Sequence, residues 1–269
     1  MLNEPLVSVL MTAYNREKYI AEAIESVLAS TYKNFELIIV DDCSEDNTVA
    51  IARSYEQKDN RVKVYVNEHN LGDYPNRNKA VSYAKGKYIK YLDSDDIIYY
   101  YGLDVMVNYM ERFPDAGFAL SSISEIQRSF PICISPFEIY HEHFNGFGHF
   151  DRAPGSSIIK REVFNSIGGF SGKRMIGDYE FWLKISREYP MVKIPIDLYW
   201  SRIHEGSELQ SNYAKINYGR LKHEVLTEAL LHPSCPMDAE QIHLILKKNS
   251  IKMYKMGIKQ ILYKIKHYL

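Results

Sequence analysis

Short, almost unbroken apolar runs alternate with stretches of helical spacing through the first third of the chain. Leu6 to Met11 reads as a β-branched strand. Thr12-Ala13-Tyr14-Asn15 is the turn after it, with Asn15 as an N-cap and Glu17 in the first helical turn. Ile20, Ala23, Ile24, Val27 and Leu28 then share one helix face. Phe35 to Val40 is a second strand, ending in Asp41-Asp42, and Ser44, Asp46 and Asn47 open a helix reaching about Tyr55. Val62 to Val66 is a third strand, leading into the turn-rich Asn67-Glu68-His69-Asn70-Leu71-Gly72. Asn76 to Ala84 is a short helix closed by Gly86. Tyr88 to Leu92 is a buried strand that runs into Asp93-Ser94-Asp95-Asp96.

Strands of this kind alternating with helices predict a mostly parallel sheet covered on both faces, an α/β fold. Ligands of such sheets bind beyond the carboxyl ends of the strands. Thr12 to Asn15, Asp41-Asp42 and Asp93 to Asp96 would therefore face one crevice. With 14 Asp in 269 residues, an Asp-x-Asp is expected about 0.7 times by chance and means nothing alone. At the tip of a buried strand, however, three carboxylates within four residues repel one another unless a cation joins them. A divalent metal carrying a phosphorylated ligand is the natural partner. No GxGxxG follows the first strand, and no GxxxxGK[ST] occurs.

Farther on, a helix is predicted from Tyr101 to Arg112, ended by Phe113-Pro114-Asp115, and then a strand from Ala116 to Ser121. Residues 125–153 lose periodicity and are rich in Phe, His, Tyr, Pro and Gly. His141, His143 and His149 there lack the cysteines or ordered spacing of a metal site, so an aromatic acceptor loop is the better reading. Ser157 to Ile159 reads as a strand and Arg161 to Ile167 as a helix ended by Gly168-Gly169. Gly177-Asp178-Tyr179-Glu180 opens another helix, with Asp178 near its N-terminus as a cap or as a working carboxylate. Arg202 and His204 follow a strand and, two apart, share a face that could meet phosphate.

From about Lys215 the chain turns helical. Ile251, Tyr254, Ile258, Ile261, Leu262, Ile265 and Leu269 recur at helical spacing beside Lys248, Lys252, Lys255, Lys259 and Lys266. Two readings stay open: a helix packed on the domain with a solvated lysine face, or a basic amphipathic helix on an anionic membrane surface. The net charge of −1 argues against nucleic acid as a partner. Three scattered cysteines make a poor disulfide framework and point to a reducing compartment. With neither a signal segment nor a run of 18 apolar residues, a cytoplasmic protein is expected, peripheral at the inner membrane face if the lysine-rich helix binds there.

Taken in order, Val7-Ser8-Val9, Thr12-Ala13-Tyr14-Asn15, Ile38-Ile39-Val40-Asp41-Asp42-Cys43-Ser44-Glu45-Asp46, Asn70-Leu71-Gly72, Arg77-Asn78-Lys79-Ala80, Asp93-Ser94-Asp95-Asp96, Gly168-Gly169-Phe170, Asp178 and Arg202-Ile203-His204 resemble a family 2 glycosyltransferase of GT-A fold. The resemblance covers about residues 5–210. It implies a GT-A domain over 1–212, split into a nucleotide-sugar half (1–121) and an acceptor and catalytic half (122–212), with a helical extension over 213–269.

The implied activity is inverting transfer of a sugar from a nucleoside-diphosphate sugar to an acceptor hydroxyl. The resemblance favours UDP as the nucleotide, and the lysine-rich tail points to a glycan or lipid-linked acceptor at the membrane face, as in bacterial surface polysaccharide assembly. Carried over, Thr12, Ala13, Tyr14, Asn15 and Asp42 would line the nucleoside pocket, with Arg77 beside the nucleotide. Asp93 and Ser94 would face the donor sugar or ribose. Asp95 would hold Mn²⁺ or Mg²⁺ with His204, Arg202 would assist the diphosphate, and Asp178 would be the general base. One departure stands out: Gly177 occupies a place where many relatives carry Glu, and Glu180 is the nearest acid that could compensate.

Two other readings compete. A nucleotidyltransferase making the activated sugar would want a Gly-rich basic loop, and Thr12 to Arg16 holds no glycine. A catalytically inactive GT-A scaffold would have no need of Asp42, Asp95, Asp178 and His204 together.

Overall fold

The computed structural model describes residues 4–122, 131–204, 211–251 and 254. The predicted strands form as β1 (Val7–Ala13), β2 (Phe35–Asp41), β3 (Val62–Val66) and β4 (Tyr88–Tyr91). Between them lie α1 (Ile20–Leu28), α2 (Thr48–Glu56) and α3 (Asp73–Tyr83). Then come β5 (Ile97–Ile98), α4 (Gly102–Arg112), β6 (Phe118–Ser121), β7 (Ile132–Ile134), α5 (Pro136–Glu142), β8 (Ser157–Lys160), α6 (Arg161–Ile167), α7 (Gly177–Ile185), β9 (Met191–Ile194), β10 (Tyr199–Trp200) and α8 (Asn212–Leu230).

Among the described residues, eight strands form one sheet in the order β3-β2-β1-β4-β8-β6-β9-β7. β1 runs parallel to β2 and β4, β2 to β3, and β6 to β9, while β8 and β7 run against their neighbours. The chain steps outward from β1 to β3 and then returns to the far side of β1 as β4. That reversal opens a crevice between the carboxyl ends of β1 and β4. A separate ribbon pairs β5 with β10 in antiparallel fashion, Tyr199 opposite Ile98. It carries Arg202 and His204 back over the acidic tip of β4.

Burial follows the helical spacing. Ile20, Ala23, Ile24 and Val27 of α1 are buried against one side of the sheet, with Leu37, Ile39 and Met106. Each of these side chains other than Ala23 contributes about 1.5–3 kcal/mol by leaving water. Trp182, Phe181, Phe164, Tyr91 and Tyr140 fill the other side, joined by Val225, Leu226 and Ala229 of α8. The start of the helical extension therefore packs on the core. Most of the lysine-rich stretch from Ile251 to Leu269 lies outside the described residues, and no helix among the described residues is long and apolar enough to cross a membrane.

Three local expectations are corrected. Asn15 is no N-cap: it adopts a left-handed backbone (φ 52), and α1 begins only at Ile20, beyond Tyr19. Its amide side chain instead accepts the Glu45 N–H, and its own N–H donates to Ser44 Oγ, so it ties the turn after β1 to the turn after β2. Gly86 does not close α3, which ends at Tyr83. A Cβ on Gly86 would stand 2.6 Å from Ser8 N and 2.7 Å from Leu6 O, so glycine is there to let two backbones pass. Finally, residues 131–153 are more ordered than their composition predicts. Ser135 and Glu138 form a reciprocal capping box that starts α5, with Pro136 at its first position.

Candidate active site

The carboxyl ends of β1, β2 and β4 open on one cavity of about 770 Å³. Thr12, Ala13 and Tyr14 line it from β1, and Asp42 from the end of β2. Arg77 contributes from α3, Asp93, Ser94, Asp95 and Asp96 from the tip of β4, and Arg202 and His204 from beyond β10. Of the residues predicted to bind the nucleotide sugar, Asn15 alone is missing from its wall, because the left-handed turn and the bonds to Ser44 and Glu45 hold it away.

Asp42 is buried, and both its oxygens are engaged. Oδ1 accepts from Asn67 Nδ2 at 2.7 Å and from Leu71 N at 2.8 Å, and Oδ2 accepts from Gly72 N at 2.9 Å. The carboxylate thus shapes the 67–72 loop that leads into α3. In α3, Arg77 is buried between two carboxylates, with Nε 2.7 Å from Asp73 and Nη2 2.7 Å from Asp93. Burial works against its charge, but the two carboxylates outweigh that and raise its pKa well above the ordinary value.

The acidic tip is held from three sides. Asp95 Oδ2 receives Arg16 Nε at 2.8 Å and His204 Nε2 at 3.0 Å. The Arg202 N–H donates to Asp96 Oδ1 at 2.9 Å, and its Nε donates to the Asp95 carbonyl at 3.0 Å. Its guanidinium lies over Tyr19 and Trp200 and pairs with Glu22. Arg202 thus clips the acidic turn, with its side chain already committed. Burial, with Asp93 next to it, pushes the Asp96 carboxyl up to about 7. Asp93, Asp95 and Asp96 each offer an oxygen within 4.8 Å of the others, a hard-oxygen set that suits Mg²⁺ or Mn²⁺. The three histidines of 141–149 make no such group among the described residues. His143 meets Tyr179 and His149 meets Glu142.

Asp178 opens α7 as predicted. It is not in the cavity wall; Tyr74, whose ring packs beside Gly177, is. Burial raises the Asp178 carboxyl to about 6, against the Tyr179 N–H, the Tyr74 hydroxyl and Arg77, which favour its ionised form. Gly177 has a packing reason, since a Cβ there would lie 2.7 Å from Tyr74 Cε2. Glu180 does not compensate for the missing acid: it bonds Ser171 and Lys173 and lines a second cavity between α7 and α8. Site residues that the sequence reading passed over are Arg16, Asp73 and Tyr74. A basic residue in the turn after β1, and an acid four before Arg77 on one helix, were the available signals for the first two.

The Glycosyl transferase family 2 model matches residues 8–168. The chain belongs to glycosyltransferase family 2. An uncharacterized glycosyltransferase of Methanocaldococcus jannaschii is 34% identical over 197 residues, which span 70% of this chain and 67% of that protein. Staphylococcus aureus TarS residues 1–349, solved with UDP-GlcNAc, superposes with a TM-score of 0.70 at 22% identity, over 90% of this chain and 71% of that 1–349 chain. The mannosyltransferase PcManGT of Pyrobaculum calidifontis, solved with GDP-Man and Mn²⁺, gives 0.66 at 16% identity, over 96% and 76%. These two share the GT-A fold of the family 2 chain. The family match takes in the Thr12, Asp42, Arg77 and Asp93–Asp96 positions, whereas Asp178, Arg202 and His204 lie beyond it.

Proposed function

We propose that this glycosyltransferase moves a sugar from a UDP-sugar to an acceptor hydroxyl with inversion, assisted by a divalent cation. The observation that carries the reading is one cavity walled by Asp42, Arg77, the acidic tip of β4 and His204. Thr12, Ala13 and Tyr14 line the nucleoside end, where Asp42 receives the base on whatever acceptor capacity the 67–72 loop leaves it. Asp93 and Ser94 face the ribose or the donor sugar, and Arg77 fixes Asp93 through their ion pair. Asp95 and His204 would hold Mn²⁺ or Mg²⁺, which supplies charge neutralisation at the diphosphate. Arg202 supports that end by fixing the backbone of the acidic turn.

An acceptor hydroxyl is a poor nucleophile, so a carboxylate must take its proton as it attacks. Asp178 is that base: with its pKa raised to about 6, it is mostly ionised at neutral pH yet more basic than an ordinary aspartate.

The test is thermal stability with UDP, GDP, dTDP and CDP, each with and without Mn²⁺. Ligands that bind only the folded state raise the melting temperature by mass action. A Mn²⁺-dependent rise with UDP is expected. A rise with none of the four would favour the inactive scaffold.

A further inference from the structure

Lys90 lies on β4, just ahead of the acidic tip, and is fully buried. The ladder between β4 and β8 ends at Ile89 opposite Ile159, so the two strands part at Lys90. Its Nζ bridges the opening: it donates to the Tyr91 carbonyl at 2.6 Å and to the Gly155 carbonyl. The same ammonium lies 5.4 Å from the centre of the Tyr199 ring. Glycine at 155 lets that ring approach, since a Cβ there would stand 2.7 Å from Tyr199 Cε2. Three pieces of the site therefore meet on one side chain. Tyr91 ends the strand that leads to Asp93–Asp96. Gly155 belongs to the short 3₁₀ turn Pro154–Ser156, which follows Ala153 in the cavity wall. Tyr199 belongs to β10, the ribbon strand that leads to Arg202 and His204.

That turn is held by its carbonyls. Arg152 O accepts from Trp182 Nε1 at 2.7 Å, Ala153 O from Ser156 Oγ at 2.9 Å, Pro154 O from Ser157 Oγ at 2.8 Å and Ser156 O from Ser121 Oγ at 3.0 Å. Gly155 O completes the series, and Lys90 is the donor that ties it to the acidic strand. Burying an ammonium at a strand position that an apolar side chain could fill is costly. Burial lowers the Lys90 pKa to about 7, against Asp93 and Asp96, which favour its charged form. We infer that Lys90 is a positioning residue for the cation site: its ammonium holds the acidic tip, the 153–156 wall and the His204 ribbon in one fixed relation. The inference rests on the reading of Asp95 and His204 as the groups that hold the cation.

The experiment compares the full chain as wild type and as Lys90→Met, which keeps the length of the side chain and removes its donors. A thermal melt checks the fold, and Lys90→Gln takes its place if the Met variant does not fold. Amide hydrogen exchange is read at Asp96, Ser156 and Arg202, whose N–H groups bond to Asp93 O, Ala153 O and Asp96 Oδ1. Exchange at all three is expected to quicken by about tenfold or more, with the amides of β2 and β3 unmoved. Unchanged exchange at the three positions overturns the inference. Calorimetry with Mn²⁺ at saturating UDP should then show affinity about tenfold weaker, while UDP binding without metal changes little. A role in stability alone does not produce that split, and unaltered Mn²⁺ affinity in a folded variant also overturns the inference. The cation reading is judged on the wild type: failure to bind Mn²⁺ with UDP would remove it, whereas the exchange still decides whether Lys90 joins the three pieces.

Discussion

His204 and Arg16 share one oxygen of Asp95. Nε2 of His204 lies 3.0 Å from Oδ2, and Nε of Arg16 lies 2.8 Å from the same atom. Two nitrogens far apart in sequence, one from the turn after β1 and one from beyond β10, thus aim a single carboxylate. No hydrogen bond among the described residues reaches Asp95 Oδ1, so that oxygen is left to the cavity.

This arrangement makes the cation dependence separable. His204→Ala is expected to weaken Mn²⁺ binding about 10–100-fold, the usual cost of losing a ligand or its support, while binding of UDP without metal changes little. Asp95→Asn should remove the Mn²⁺-dependent part altogether. Titration calorimetry with Mn²⁺ in the presence of UDP reads both, and an unaltered Mn²⁺ affinity in Asp95→Asn would move the metal site elsewhere.

Asp42 has a double task, and its loss should show in two measurements. Its carboxylate takes three donors from the 67–72 loop. In Asp42→Asn, one oxygen becomes an NH₂ that faces an N–H. Leaving such buried groups unmatched costs about 1–3 kcal/mol. Urea unfolding should show that loss together with weaker UDP binding. Weaker UDP binding at unchanged stability would mean that the carboxylate serves the nucleotide without organising the loop.

The Asp178 carboxyl sets a pH dependence whose sign follows from burial. Its pKa is raised to about 6, above the value of about 4 that an unfolded aspartate has. The folded state therefore holds the proton through that window while the unfolded chain releases it. This group's contribution to stability is full below about pH 4 and is lost as pH rises through 6. Activity runs the opposite way: UDP release in the presence of acceptor should rise about tenfold per pH unit below 6 and level off above it. Asp178→Asn should lower release by about 10²–10⁴. A rate that keeps the wild-type limb in this variant would assign the limb to another group.

Much of the fold was legible because its signals are local. The apolar runs at Val7–Ala13, Phe35–Asp41 and Tyr88–Tyr91 and the helical spacing of Ile20, Ala23, Ile24 and Val27 are properties of neighbours in sequence. The rule that ligands gather beyond parallel strand ends then brings Thr12, Asp42 and Asp93–Asp96 to one place without coordinates. The failures were local signals that long-range structure overrode. Asn15 looked like a cap, but the Ser44–Glu45 turn claimed its polar groups. Residues 131–153 looked irregular because their burial is set by contacts with α7 and α8 rather than by a period of their own.

By itself, the sequence determined the alternation of strands and helices, the acidic tip of β4 and the family. Those rest on backbone periodicity and on carboxylates adjacent in the chain. Tertiary structure alone decided that Arg16 and His204 meet on Asp95, that Arg202 clips the acidic turn, and that Glu180 turns to Ser171 and Lys173 while the Tyr74 ring packs beside Gly177. All but the Glu180 bonds join groups tens to more than a hundred residues apart. Only the packing of α3 on Gly177 and the β5–β10 ribbon brings such groups together.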